Sequence, residues 1–174
     1  MTLTVNLLGG PGSGKSTTAA ALFALLKRQG YKTELVTEYA KDLVYEGSGR
    51  IGNQLHVFSE QYLRIERLQG KVDIIVTDGA LINSVIYASG KFEGPWWEDF
   101  VRRCSAHFRT LNIFLNRVKP YAAYGRLQDE VEARAIDRLI RRKLYAHAQI
   151  DGDARAPARI ASIIESIEPA GAAA

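Results

Sequence analysis

Residues 3–16 read Leu3-Thr4-Val5-Asn6-Leu7-Leu8-Gly9-Gly10-Pro11-Gly12-Ser13-Gly14-Lys15-Ser16. The last eight satisfy G-x-x-x-x-G-K-[ST], the loop that cradles nucleotide phosphates between a strand and a helix. Leu3 to Leu8 supply a short apolar run, and Ser16 to Gln29 carry apolar residues at helical spacing. In this setting the glycines let successive backbone N–H groups converge on phosphate oxygens, and the helix turns its positive end to the same anion. Gly10, Pro11, Gly12, Ser13, Gly14, Lys15, Ser16 and Thr17 are therefore expected to hold ATP. Lys15 would reach the β and γ phosphates, and Ser16 would coordinate Mg²⁺.

Outward from the loop, Gly30 closes the helix, Lys32 to Thr37 read as a second strand, and Glu38 to Tyr45 as a short helix. Asn53 to Gln69 place Leu55, Phe58, Tyr62 and Ile65 on one helical stripe. Val72 to Val76 form a third buried strand, Asn112 to Leu115 lie in a fourth, and His147 to Ile150 in a short fifth. This alternation implies an α/β fold, a P-loop NTPase of the nucleoside and nucleotide kinase type. Its parallel sheet of about five strands would carry helices on both faces, with ligands at the carboxyl ends of the strands. One domain is expected over residues 1–168, with a flexible tail at 169–174, whose sequence offers almost nothing to bury.

Composition supports a globular chain. Of 174 residues, 47% are hydrophobic and 24% charged, which excludes a disordered or fibrous class. A lone Cys104 rules out an internal disulfide, and His56, His107 and His147 are too scattered for a zinc site. No basic leader and no long apolar run appear, so a soluble protein of the cytoplasm, without a membrane partner, is expected. Net charge is +4. The excess sits in residues 117–159, with 10 Lys/Arg against 6 Asp/Glu, which suits an anionic partner.

Two acids complete the phosphate site in outline. Asp78 ends Asp73-Ile74-Ile75-Val76-Thr77-Asp78, where a P-loop protein needs a carboxylate for the metal. Glu38 ends the second strand and is the candidate general base for an acceptor hydroxyl. Asp42, four residues on, would share its face if the segment is helical, so it is the alternative base. A guanine-reading Asn-Lys-x-Asp element does not occur. An AAA machine would need more chain for its lid domain and inter-subunit arginines. A small-molecule kinase remains.

The loop Arg117 to Gln128, with Pro120, two tyrosines and Gly125, is placed as a lid. Arg126 would swing over the transferring phosphoryl group, with Arg117 and Lys119 as alternatives. In the helix beginning near Asp129, Arg134, Arg138 and Arg142 form a basic stripe, while Glu130 with Arg134 and Asp137 with Arg141 read as helix-supporting pairs. Ile150 to Pro157 falls where such kinases seat adenine, with Arg155 packing the base. Trp96 and Trp97 read as core residues first and as a stacking surface second.

At LLGGPGSGKST and Glu38-Tyr39-Ala40-Lys41-Asp42 the chain resembles the kinase domain of bacterial nicotinamide riboside kinases. Arg117 through Gln128 is similar to small bacteriophage P-loop kinases. The resemblance implies an ATP- and Mg²⁺-dependent phosphotransferase with a nucleoside-type acceptor. Phage kinases acting on 5-hydroxymethyluracil within DNA make a hydroxymethyl group in phage DNA the most specific expectation, and this would be DNA modification in the host cytoplasm. The alternatives are a free nucleoside, a nucleotide or nicotinamide riboside. A rival from another class is a regulatory ATP-binding protein that acts through a partner.

Overall fold

The computed structural model describes residues 1–122, 124 and 127–167. Five strands, β1 (Leu3–Leu8), β2 (Thr33–Val36), β3 (Ile74–Thr77), β4 (Arg109–Asn116) and β5 (Ala148–Asp151), form one parallel sheet in the order β2-β3-β1-β4-β5. Around it lie α1 (Lys15–Arg28), α2 (Tyr39–Tyr45), α3 (Gln54–Glu66), α4 (Pro95–Ser105), α5 (Glu130–Lys143) and α6 (Ala156–Ile167). Every residue of β1 is buried, as a central strand covered on both faces demands. Its odd positions Leu3, Val5 and Leu7 join Leu22 and Leu26 of α1 and Ile160 and Ile164 of α6 in one core. Leu8, Ile75 and Phe114 face the opposite layer with Phe58, Trp97, Val101 and Ile140.

The α/β expectation therefore holds; β1 has the expected bounds and the other strands differ from theirs by one to three residues. The chain passes from β1 to β2 on one side of the sheet and, after β3, crosses β1 to reach β4 on the other, so the loops after these parallel central strands meet at one edge of the sheet. That reversal of direction is where doubly wound sheets form their crevice. Pairing of Asn6 with Thr77 and with Asn112 fixes the register and brings Gly9, Asp78 and Arg117 to the same rim.

Residues 79–108 carried no secondary-structure reading in sequence. They form two 3₁₀ turns, Leu81–Val85 and Gly90–Phe92, and the helix α4, which starts at Pro95. Trp97 is core, 1% exposed, and its indole N–H donates to the Ser84 carbonyl at 2.9 Å. The α3 stripe also differs: the buried positions are Gln54, Phe58, Gln61 and Ile65, while Leu55 is exposed. The tail at 169–174 lies outside the described residues.

Candidate active site

The loop after β1 turns through Gly12 and Gly14, both at positive φ, before α1 begins. Gly14 is the N-cap in the left-handed region, a conformation that a Cβ would strain. Lys15 is buried and folds back over the loop, its Nζ donating to the carbonyls of Gly9 at 2.8 Å and Gly10 at 3.1 Å. Ser16 Oγ donates to Asp78 Oδ2, and Asp78 Oδ1 accepts from the Glu38 N–H at 3.1 Å. One carboxylate, 3% exposed, thus ties the first turn of α1 to the end of β2.

This Ser16–Asp78 pair fits a divalent cation bound through nucleotide: one hydroxyl and one carboxylate, with phosphate oxygens and water supplying the rest. Among the described residues no cluster of three His, Cys, Asp or Glu side chains forms a self-sufficient metal site.

Glu38 is the N-cap of α2, in extended conformation, and lines a cavity of about 500 Å³. Lys15 and Ser16 line one wall of that cavity, and Gln61, Asn83 and Tyr87 line others. The packing behind Glu38 is close, since a Cβ on Gly79 would lie 2.7 Å from the Glu38 Cα. Burial pushes the Glu38 carboxyl above its ordinary value, Lys15 pulls it back down, and the Asp78 charge adds to the rise. The Tyr87 phenol is pushed above its ordinary range, first by burial and then by the charges of Glu38 and Asp137.

Asp42 does not join this site. Because the helix starts at Tyr39, Glu38 precedes it and the two acids share no helical face. Asp42 instead accepts from Arg64 of α3 at 2.8 Å. Gly10 also departs from its expected role: its N–H is taken by Asp137 Oδ1 at 2.6 Å, while Gly12, Gly14, Lys15, Ser16 and Thr17 line the cavity. Arg126 lies outside the described residues. The loop after β5 does abut the P-loop, with the Gly152 carbonyl 3.6 Å from where a Gly14 Cβ would stand. Arg155, however, is exposed and its backbone N–H caps onto Asp153 at 2.8 Å.

Asp137 was read as a helix-supporting partner of Arg141. Its carboxylate instead accepts from Gly10 and from Arg117, at 3.1 Å from Nε and 3.0 Å from Nη2. Arg117 Nη2 donates as well to the Pro11 carbonyl at 2.8 Å. Arg141 turns away to Asn116 at 2.9 Å. A sequence signal for Asp137 existed: with Ala133 and Ile140 it occupies i, i+4 and i+7 of the buried face of α5, where an unpaired acid is costly. Gln54 and Gln61 sit likewise among the buried positions of α3.

Fold and phosphate loop together define a P-loop NTPase with a kinase-like fold. The chain belongs to the family described as AAA domain, whose model matches residues 4–150. Chain length counted against an AAA assignment in the sequence reading, but a domain of that description fits within the matched span. No curated protein matches the chain. Among solved structures it is similar to APE1195, at 20% identity and TM-score 0.54, covering 96% of each chain. It is also similar to shikimate kinase from Acinetobacter baumannii in complex with shikimate, at 18% identity and TM-score 0.53, covering 96% of this chain and 93% of that one. At these identities the likeness establishes the fold.

Proposed function

We propose that the protein transfers the γ-phosphate of ATP to a hydroxyl of a nucleoside-type acceptor. The observation that carries this reading is the placement of Glu38 in one cavity with Lys15 and Ser16 of the phosphate loop. Glu38 takes the acceptor's proton as its oxygen bonds to the γ-phosphorus and the bond to the β-phosphate oxygen breaks, leaving ADP. Lys15 and the loop N–H groups hold the phosphates in line. A magnesium ion held by Ser16 and Asp78 would neutralise charge on the β and γ phosphates. In this reading the loop 117–128 acts as the lid, supported by Tyr124, Leu127 and Gln128, which line the cavity, and by Tyr124, which lies 6.2 Å, ring to ring, from Tyr45.

The finer reading, a hydroxymethyl group on uracil in phage DNA, rests on the phage-kinase resemblance and on exposed arginines along α5. The test is transfer of label from γ-labelled ATP to nucleosides, to nucleotides and to DNA containing 5-hydroxymethyluracil. Label on any of these identifies the acceptor. Release of inorganic phosphate alone, with no labelled acceptor, overturns the kinase reading in favour of a regulatory ATPase.

A further inference from the structure

Glu38 stands at the N-cap of α2, yet its carboxylate makes no capping bond to that helix. The N–H groups at a helix start need acceptors, and an N-cap side chain that turned back to supply one would be lost to the cavity. Here two other side chains take the first amides. Asp78 Oδ1 accepts from the Glu38 N–H at 3.1 Å, and Gln61 Oε1, on α3, accepts from the Tyr39 N–H at 2.8 Å. The carboxylate of Glu38 is thereby left for chemistry. Gln61 is 6% exposed, and its Nε2 is shut away from the cavity, 3.0 Å from where a Gly79 Cβ would stand. That same Cβ would meet the Glu38 Cα at 2.7 Å, so Gln61, Gly79 and the Glu38 backbone pack in one close row. Two further contacts from α3 hold Tyr39: its hydroxyl lies 2.9 Å from His56 Nε2, and its ring lies 4.8 Å from the guanidinium of Arg64.

We propose that Gln61 is a positioning residue for phosphoryl transfer: by holding the Tyr39 N–H it fixes the backbone that carries the Glu38 carboxylate to the nucleophile. The inference rests on the reading of Glu38 as the general base and deepens it. A base must stand within about 2.6–3.2 Å of the group whose proton it takes, and a misplacement of about 1 Å costs about 10²-fold in rate. Of the two side chains that hold this backbone, Asp78 also receives the Ser16 hydroxyl, so its loss would disturb the phosphate site as well. The Gln61 side chain hydrogen-bonds to Tyr39 alone among the described residues. Its removal therefore loosens the seat of Glu38 and leaves Lys15, Ser16 and Asp78 in place.

The test is kinetic, with γ-labelled ATP and thymidine, thymidine monophosphate, single-stranded DNA containing 5-hydroxymethyluracil, or water alone as the acceptor. Gln61→Met removes the acceptor for the Tyr39 N–H at nearly constant side-chain length, and Gln61→Asn keeps an amide that is too short to reach it. Far-UV circular dichroism and affinity for a non-hydrolysable MgATP analogue establish which variant is folded. In a folded variant kcat should fall by about 10- to 10²-fold while the KM for MgATP stays unchanged. In the Glu38→Gln background the same substitution should cost less than about twofold more, because Gln61 acts through a base that is already gone. A purely structural role would lower the rate equally in both backgrounds. Full kcat in a folded variant, equal losses with and without Glu38, or a raised KM for MgATP at preserved kcat overturns the proposal, as does failure of both variants to fold. If label appears only on inorganic phosphate, the kinase reading fails, and the same comparison run on hydrolysis decides Gln61. A wild-type protein that turns over no ATP with any of the four removes both readings.

Discussion

Asp137, near the middle of α5, accepts a 2.6 Å hydrogen bond from the N–H of Gly10 in the phosphate loop, 127 residues earlier in the chain. The same carboxylate holds Arg117, the first residue after β4, with side-chain exposures of 4% for the arginine and 11% for the acid. The phosphate loop, the end of β4 and α5 thereby share one buried charge pair, and the loop cannot shift without disturbing both other elements.

Removing Asp137 should be costly for that reason. Asp137→Ala leaves a buried guanidinium without its counter-charge and an amide without an acceptor, an expected loss of about 3–5 kcal/mol in urea unfolding. Asp137→Asn retains an acceptor for Gly10 and should recover part of that loss. MgATP affinity should follow the same order, wild type above Asn above Ala. An Ala variant as stable as wild type would dissociate the charge pair from the fold.

Lys15→Ala should preserve the fold and abolish nucleotide turnover. Its Nζ bonds only to two loop carbonyls, so the core loses little, whereas the phosphates lose their directed charge. A drop of at least about 10²-fold in ATP turnover with an unchanged circular dichroism spectrum is expected. Unchanged turnover would remove Lys15 from the phosphate site.

The Glu38 carboxyl carries a pH signature in both stability and rate. Its folded pKa is raised above the ordinary 4.5, so the native state binds this proton more readily than the unfolded chain does. Its stabilising contribution is therefore full below about pH 4.5 and fades as pH rises through the folded value. Glu38→Gln should unfold at higher urea than wild type near neutrality, and the advantage should vanish on acidification. The rate of transfer should fall by about 10²- to 10⁴-fold in the variant, and the acid limb of the wild-type pH–rate profile, set above pH 4.5, should disappear with it. A variant that retains the acid limb would assign that limb, and the base, to another group.

The phosphate loop was legible in sequence because its eight residues carry their own geometry, and Glu38 and Asp78 because each ends a strand beside it. The exposed face of α5 was also legible, in that Arg134 pairs with Glu130 at 2.7 Å as its spacing implied. Asp137 was not, since its partners Gly10 and Arg117 come from the loops after β1 and β4 and only the assembled sheet brings them near. Gln61 escaped for the same reason: its fixed orientation depends on Tyr39, 22 residues away. Asp42 misled because a one-residue difference in where α2 starts separates it from Glu38. The 3₁₀ turns of residues 81–92 have neither period to read.

Gly79 tests how tightly Glu38 is seated. It has no positive φ to excuse it, so its need is purely steric: a Cβ would meet the Glu38 Cα at 2.7 Å and Gln61 Nε2 at 3.0 Å. Gly79→Ala should cost about 1–3 kcal/mol as an overpacked site. It should also depress transfer more than MgATP binding, because the strain falls on Glu38 and not on Lys15. A folded Ala variant with a full transfer rate would show that the Glu38 position tolerates displacement.

The last prediction separates DNA from free nucleosides as the acceptor. Arg138 and Arg142 are exposed on α5 and make no ion pair among the described residues, whereas Arg134 is held by Glu130. If the acceptor is a base within DNA, such free cations are where backbone phosphates dock. Affinity for a duplex containing 5-hydroxymethyluracil should then fall with log salt at about 0.9 per phosphate contact. Reversing both charges, Arg138→Glu with Arg142→Glu, should flatten that slope by about two contacts. The reaction on a free nucleoside should be spared, because neither residue lines the acceptor cavity. The hydroxymethyl carbon at the 5-position faces the major groove, but Glu38 lines a cavity, so bringing that carbon to it requires a base that is extruded or already single-stranded. Single-stranded substrate should accordingly react faster than duplex of the same sequence. A salt slope unchanged by the double reversal, with duplex and single strand reacting alike, would take DNA away as the acceptor and leave a kinase of small nucleosides.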